Sequence, residues 1–187
     1  MRRRIQTLEK LLFRGLASIG LLIALGCNQD EVRVYRVEKT KPPERDSAGN
    51  RQIAWTLPEG WVEAPATGLR RATLKPPFPG TVEASVVTLQ GKAGGELANV
   101  NRWRSQLGLS PVAASNLASI RRIVNAPAGP LAVFDFTSEN APKLRLVAAC
   151  LTRADGSTWF FKLAGNAEPV GQAKPGFLKL LETIHLG

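Results

Sequence analysis

Histidine and cysteine are nearly absent from this 187-residue chain: His185 is its one histidine, and Cys27 and Cys150 are its two cysteines. That scarcity narrows the chemistry. Zinc and calcium sites need clustered His, Cys or carboxylate ligands, and no CxxC or dense acidic loop supplies them. Two cysteines exclude a disulfide framework and leave at most one bridge, Cys27–Cys150. A nucleophile–base pair would have to be Cys150 with His185. Cys150 falls inside an expected central strand, where a thiol is a buried small apolar group rather than an accessible thiolate. His185 is expected on the last helix, beside Leu181 and Ile184, favouring the negative end of the helix dipole. Asp135 and Glu139 are the closest carboxylates to a pair. Asp135 lies between Phe134 and Phe136 and is expected to bond a backbone amide or an arginine. Gly91-x-x-Gly94-Gly95 precedes a helix but lacks the Gly-Lys-Ser/Thr ending of a phosphate loop and the Rossmann spacing. No catalytic residue, metal site or cofactor is expected, and the chain reads as a non-enzyme.

Acidic residues are also in short supply, 15 against 25 Lys and Arg, for a formal charge of +10. A basic surface favours anionic partners, or is simply well solvated. Arg70-Arg71, Arg102-Trp103-Arg104 and Arg121-Arg122 are the candidate anion or partner surface. No nucleic-acid-binding signature occurs, and nucleic acid is not an expected partner.

Long apolar runs are missing too. Spanning a bilayer takes about 20 apolar residues, and the clean run Gly15–Gly26 offers only about 12, because Arg14 interrupts it. Arg2, Arg3 and Arg4 before such a run have the layout of a secretory signal peptide. The run ends in Ala24-Leu25-Gly26-Cys27. Small residue, cysteine and a polar chain after it resemble the lipobox of bacterial lipoproteins, although Ala24 stands where Leu is usual. The resemblance implies diacylglycerol on the Cys27 sulfur, cleavage before it, and acylation of the new amino terminus. It makes the membrane, reached through the lipid at Cys27, the first partner. Asn28 rather than Asp after the cysteine leans toward the outer membrane, with the protein facing the periplasm. The alternatives are an uncleaved anchor helix starting near Leu11, or ordinary cleavage that leaves Cys27 a thiol.

Three parts follow: a signal peptide over 1–26, a lipidated and flexible tether over 27–50, and one globular domain over 51–187. The tether mixes five acidic with five basic residues and carries Pro42-Pro43. Within it, 32–37 could form a short strand docked on the domain. Ile53–Leu57 alternates as a half-buried strand, Pro58-Glu59-Gly60 turns the chain, and Trp61-Val62 resumes it, an expected hairpin. Tryptophans on both sides of that turn mark one end of a core rather than a ligand platform. Arg70–Lys75 and Thr81–Gln90 read as strands, the second apolar on both faces. Glu96–Leu107 has helical spacing, with Leu97, Val100, Trp103 and Leu107 on one arc and Asn99 among the polar residues opposite. Gly108 and Pro111 stop it. Ser115–Ile120 reads as a short helix capped by Ser115. Arg121–Val124 and Leu131–Thr137 flank a turn over 125–130. Leu144–Thr152 and Thr158–Ala164 flank Ala154-Asp155-Gly156-Ser157, a hairpin signal between two strands apolar on both faces. Phe177, Leu180, Leu181 and Ile184 stripe a C-terminal helix.

Strands joined by turns and apolar on both sides imply an α+β fold, a largely antiparallel sheet covered by helices. That layout resembles the PsbP-like α/β/α sandwich, which also serves a Ran-binding nuclear protein. The stretches 55–61, 101–109 and 159–165 resemble parts of small uncharacterised bacterial lipoproteins. These resemblances imply a module that binds other proteins and bring no catalytic residues; an envelope protein complex is the expected partner, and an envelope enzyme of unrecognised type or a binder of anionic envelope ligands are the alternatives.

Overall fold

A computed structural model describes residues 52–187. The signal stretch, Cys27 and the tether with its segment 32–37 lie outside the described residues. The elements are β1 (Ile53–Ala54), β2 (Val62–Ala64), β3 (Arg70–Lys75), β4 (Val82–Gln90), α1 (Gly95–Gln106), α2 (Leu117–Ile120), β5 (Arg122–Ala126), β6 (Gly129–Thr137), β7 (Leu144–Thr152), β8 (Ser157–Asn166), α3 (Ala167–Glu182) and β9 (His185–Leu186).

Seven strands form one antiparallel sheet in the order β2-β3-β4-β8-β7-β6-β5. The three strands read as apolar on both faces, β4, β7 and β8, are the three innermost. Side chains alternate across a strand. Val147, Ala149, Leu151, Trp159 and Phe161 therefore enter one core, with Val170, Ala173, Phe177, Leu180 and Leu181 of α3. Leu146, Ala148 and Phe160 enter the other, with Val100 and Trp103 of α1 and, at its margin, Leu117 and Ile120 of α2. The fold is α+β, a largely antiparallel sheet covered by helices on both faces.

Helix α1 stops as its sequence demands. Gly108 takes φ 69°, its N–H bonds Ser105 O, and the Leu109 N–H bonds Arg104 O, a Schellman end. Trp61 is buried and Trp55 meets Phe161 edge-on, with centroids 6.1 Å apart, so both tryptophans serve the core.

Five local expectations are corrected. Ile53–Leu57 forms no hairpin with Trp61-Val62. Only Ile53–Ala54 is strand, and it pairs with β9 while β2 pairs with β3. The turn still forms, with the Trp61 N–H on Pro58 O at 3.1 Å, but Trp61 is buried in the α3 core and Val62 carries on as β2 beside β3. Ser115 caps nothing: it lies within a 3₁₀ turn, Ala114–Asn116, that precedes α2. The turn over 125–130 tightens to Pro127-Ala128, because Ala126 pairs with Gly129. His185 is not on a helix: α3 ends at Glu182, so Ile184, though buried, lies past the helix whose stripe it was expected to join, and His185 is exposed in β9, with Nδ1 2.8 Å from Thr183 O. Asn99 is buried rather than solvated, donating from its side chain to Ala93 O at 2.9 Å and Gly95 O at 2.7 Å.

Candidate functional site

The nine residues of β6 face only five of β5. The tight turn starts the pairing at Ala126–Gly129, and it ends at Arg122–Val133. On the other side β6 stays paired with β7 through Thr137–Arg145. Residues 134–137 therefore have no strand beyond them among the described residues. The Ser138 N–H bonds Leu144 O at 2.8 Å, which sets the phase of the ladder. In an antiparallel pair both backbone groups of a residue point the same way, and the direction alternates. Even-numbered residues of β6 thus bond β7, while Asp135 and Thr137 turn N–H and C=O outward, past the end of β5.

A cavity of about 620 Å³ wraps this open edge, reaching α3 on one side and α1 on the other. Phe134, Phe136, Ile120 and Leu178 supply its apolar lining, and Arg104, Arg122 and Lys174 its cations. Phe136 stacks on Phe134 with centroids 6.3 Å apart. The Arg104 guanidinium lies 5.3 Å from the centre of the Phe136 ring, and its Nε donates to Ser110 O at 2.7 Å. Arg122 has no side-chain partner among the described residues, and the neighbouring Ile123 is 54% exposed.

Asp135 does not act as half of a carboxylate pair. Arg145 donates to both its oxygens, at 2.8 and 2.6 Å, and Lys174 donates to Oδ2 at 2.7 Å. Burial alone would raise its pKa. The hydrogen bonds from Arg145 and Lys174, with their charges, outweigh burial and lower it. Glu139 lies exposed just past β6.

The six candidate arginines do not make one surface. Arg104 and Arg122 border the edge cavity. Arg70 and Arg102 share a second cleft, near α1. Arg121 pairs with Glu96 at 3.2 Å, and Arg71 is exposed on β3. Cys150 and His185 are not brought together either: the thiol faces the α1 core, whereas His185 sits in the separate β1–β9 ladder. Burial first, then Glu96, pushes the Cys150 thiol up to about 11. Among the described residues no cluster of three or more His, Cys, Asp or Glu could hold a metal ion, and no helix is long and apolar enough to cross a membrane. Lys162 and Lys174 went unread in the sequence. A lysine inside the apolar run 159–163 was the available signal for the first; Lys174, on a helix, carried none.

No family model matches the chain, and no curated protein does. Solved structures align with much of the chain at low similarity. A Bacteroides thetaiotaomicron protein is 10% identical with a TM-score of 0.46 over 72% of this chain, which spans 45% of that protein. LpqN of Mycobacterium tuberculosis, described as involved in cell envelope biogenesis, is 11% identical, with a TM-score of 0.45 over 76% of this chain and 87% of its own. The cyanobacterial PsbP of Synechocystis is 13% identical, with a TM-score of 0.37 over 76% of this chain and 96% of its own. Likeness of this degree carries nothing about activity or partner.

Proposed function

We propose that this is a lipid-anchored lipoprotein of the cell envelope, and that its α+β domain is a non-catalytic module that binds another envelope protein at the open edge of β6. The anchor rests on the basic start, the short apolar run and Cys27; Asn28 favours the outer membrane. The single observation that carries the binding role is the outward backbone of Asp135 and Thr137 beside a cavity with aromatic walls and basic margins. An unpaired edge invites strand addition, in which backbone bonds give affinity and flanking pockets give specificity. The partner that fits is an extended segment with an apolar side chain for the Phe134–Phe136 wall and acidic side chains for Arg104 and Arg122.

The test is in-cell photocrosslinking of the anchored protein from position 123, where the exposed Ile123 lines the same cavity. Thr137→Pro removes an outward N–H while leaving the bonds of the even-numbered residues to β7 intact. One discrete envelope protein should crosslink, and Thr137→Pro and Arg122→Glu should each cut its yield about tenfold, the effect of losing roughly 1.4 kcal/mol. Crosslinks to many proteins alike, or a yield unchanged in both variants, would overturn the reading.

A further inference from the structure

A second site stands clear of the edge cavity, and a fault in strand pairing builds it. Along β3, Ala72 and Leu74 enter the α3 core. Simple alternation would send Arg70 the same way. The pairing instead shifts between Arg70 and Ala72, so that Arg70 comes opposite Val87 while Ala72 is opposite Val86. Such bulges re-aim a side chain. Here the bulge turns Arg70 to the α1 side, where Thr73, Ser85 and Lys162 already lie in one row across β3, β4 and β8.

Arg102 of α1 completes the group. Its Nη2 donates to Oδ1 of the buried Asn99, whose amide is itself held by Ala93 and Gly95. Arg70 is steadied by Glu83 at 2.9 Å and Thr73 Oγ1 at 3.2 Å. Lys162, by contrast, has no hydrogen-bond or ion-pair partner among the described residues. Burial, and then Arg70 with Arg102 nearby, lower its pKa, with Glu83 opposing. The Ser85 hydroxyl, on a buried residue that lines the cleft, is likewise without a partner among the described residues. Arg70, Arg102 and Lys162 line a space of about 200 Å³, with Val87, Leu89 and Phe160 as its apolar part, and the one carboxylate beside them, Glu83, is held on Arg70. A lysine held half-buried against two guanidinium groups is a standing cost that a bound anion would relieve.

We infer that the cleft of Arg70, Ser85, Lys162 and Arg102 binds a phosphate monoester carrying a small apolar group. The excess of two positive charges matches a phosphate monoester, which carries about −1.5 to −2 at neutral pH. Guanidinium forks, an ammonium and a hydroxyl are the donors that phosphate oxygens take. The apolar part of the cleft would receive the organic substituent.

The experiment is calorimetric titration of the full-length, detergent-solubilised protein with phenyl phosphate, inorganic phosphate and benzoate. Phenyl phosphate should bind best, and added salt should weaken it. Lys162→Met, Arg102→Gln and Ser85→Ala should each weaken it, the first two at least tenfold. Lys179→Gln, on α3 across the sheet, should leave it unchanged, and the serine variant guards against loss through misfolding. Displacement by dihexanoyl phosphatidic acid would assign the group to a lipid headgroup; binding without displacement would assign it to a soluble ester. No binding at millimolar ligand, equal loss in Lys179→Gln, or benzoate binding as tightly as phenyl phosphate would overturn the inference.

Discussion

Gly165 stands where β8 runs closest to the start of β4. A Cβ built there would lie 1.9 Å from Thr81 O and 2.9 Å from Val82 Cα. Both are backbone atoms, so neither can swing away as a side chain would. Gly165→Ala should cost about 3 kcal/mol or more, read as a fall in the midpoint of denaturant unfolding, since overpacking of this kind forces main-chain movement. Asp135 shows the opposite economy, a half-buried charge with every oxygen engaged. Its pKa is lower folded than its unfolded value of about 3.9. The stability it contributes is therefore present above that value and is lost as pH falls through the lower, folded pKa. Asp135→Asn should lower stability at pH 7 by about 2 kcal/mol, because Arg145 and Lys174 lose a charged acceptor. It should also flatten the fall in stability between pH 5 and pH 2, as measured by urea unfolding at a series of pH values. Of these two residues, Asp135 was legible from its place between phenylalanines as bonding a backbone amide or an arginine, and the structure gives it the arginine. Gly165 was not, because nothing near it in the chain reveals that Thr81 passes overhead.

Among the elements, the strands and helices with strong periodicity were readable to within a residue or two. Leu144–Thr152 kept the bounds read from its pattern, and α1 stopped at the glycine that stops it. The shortest elements were not readable, because they exist through distant partners. Strand β1 is two residues long and pairs with β9, more than a hundred residues away. The Gly187 N–H bonds Gln52 O at 2.8 Å, and the Thr56 N–H bonds Thr183 Oγ1 at 2.9 Å, extending the same clasp. Ile53 is 5% exposed beneath it. Deleting His185–Gly187 should cost about 2 kcal/mol through lost backbone bonds and partial exposure of Ile53, and lower Tm by about 5 °C in a thermal melt. The open length of β6 has the same origin: it follows from β5 beginning only at Arg122, which depends on where α2 hands over to the strand.

At the level of the whole chain, the proposed reading of Ala24–Cys27 as a lipobox predicts lipidation and cleavage before any domain surface matters. Each buried CH₂ contributes about 0.8 kcal/mol, so one acyl chain holds weakly and two or three hold firmly. Cys27→Ser should leave a larger precursor on a denaturing gel and abolish incorporation of labelled palmitate; a mature product of unchanged mass would sink the lipoprotein reading.

Composition and periodicity were enough to establish the layered α+β fold, the central strands, and the expectation that one histidine and two cysteines leave little room for catalysis. These are local properties: hydrophobic alternation of period two or 3.6 is written residue by residue. The two sites were decided only in three dimensions. Six arginines that look like one basic surface along the chain separate in space, because a bulge in β3 re-aims Arg70 and because Arg102 and Arg104, two apart on a helix, diverge by about 200° around its axis. Lys162, 92 residues beyond Arg70, joins it only because β8 and β3 both flank β4. Register and strand length are set by pairing, and pairing is a property of the folded sheet.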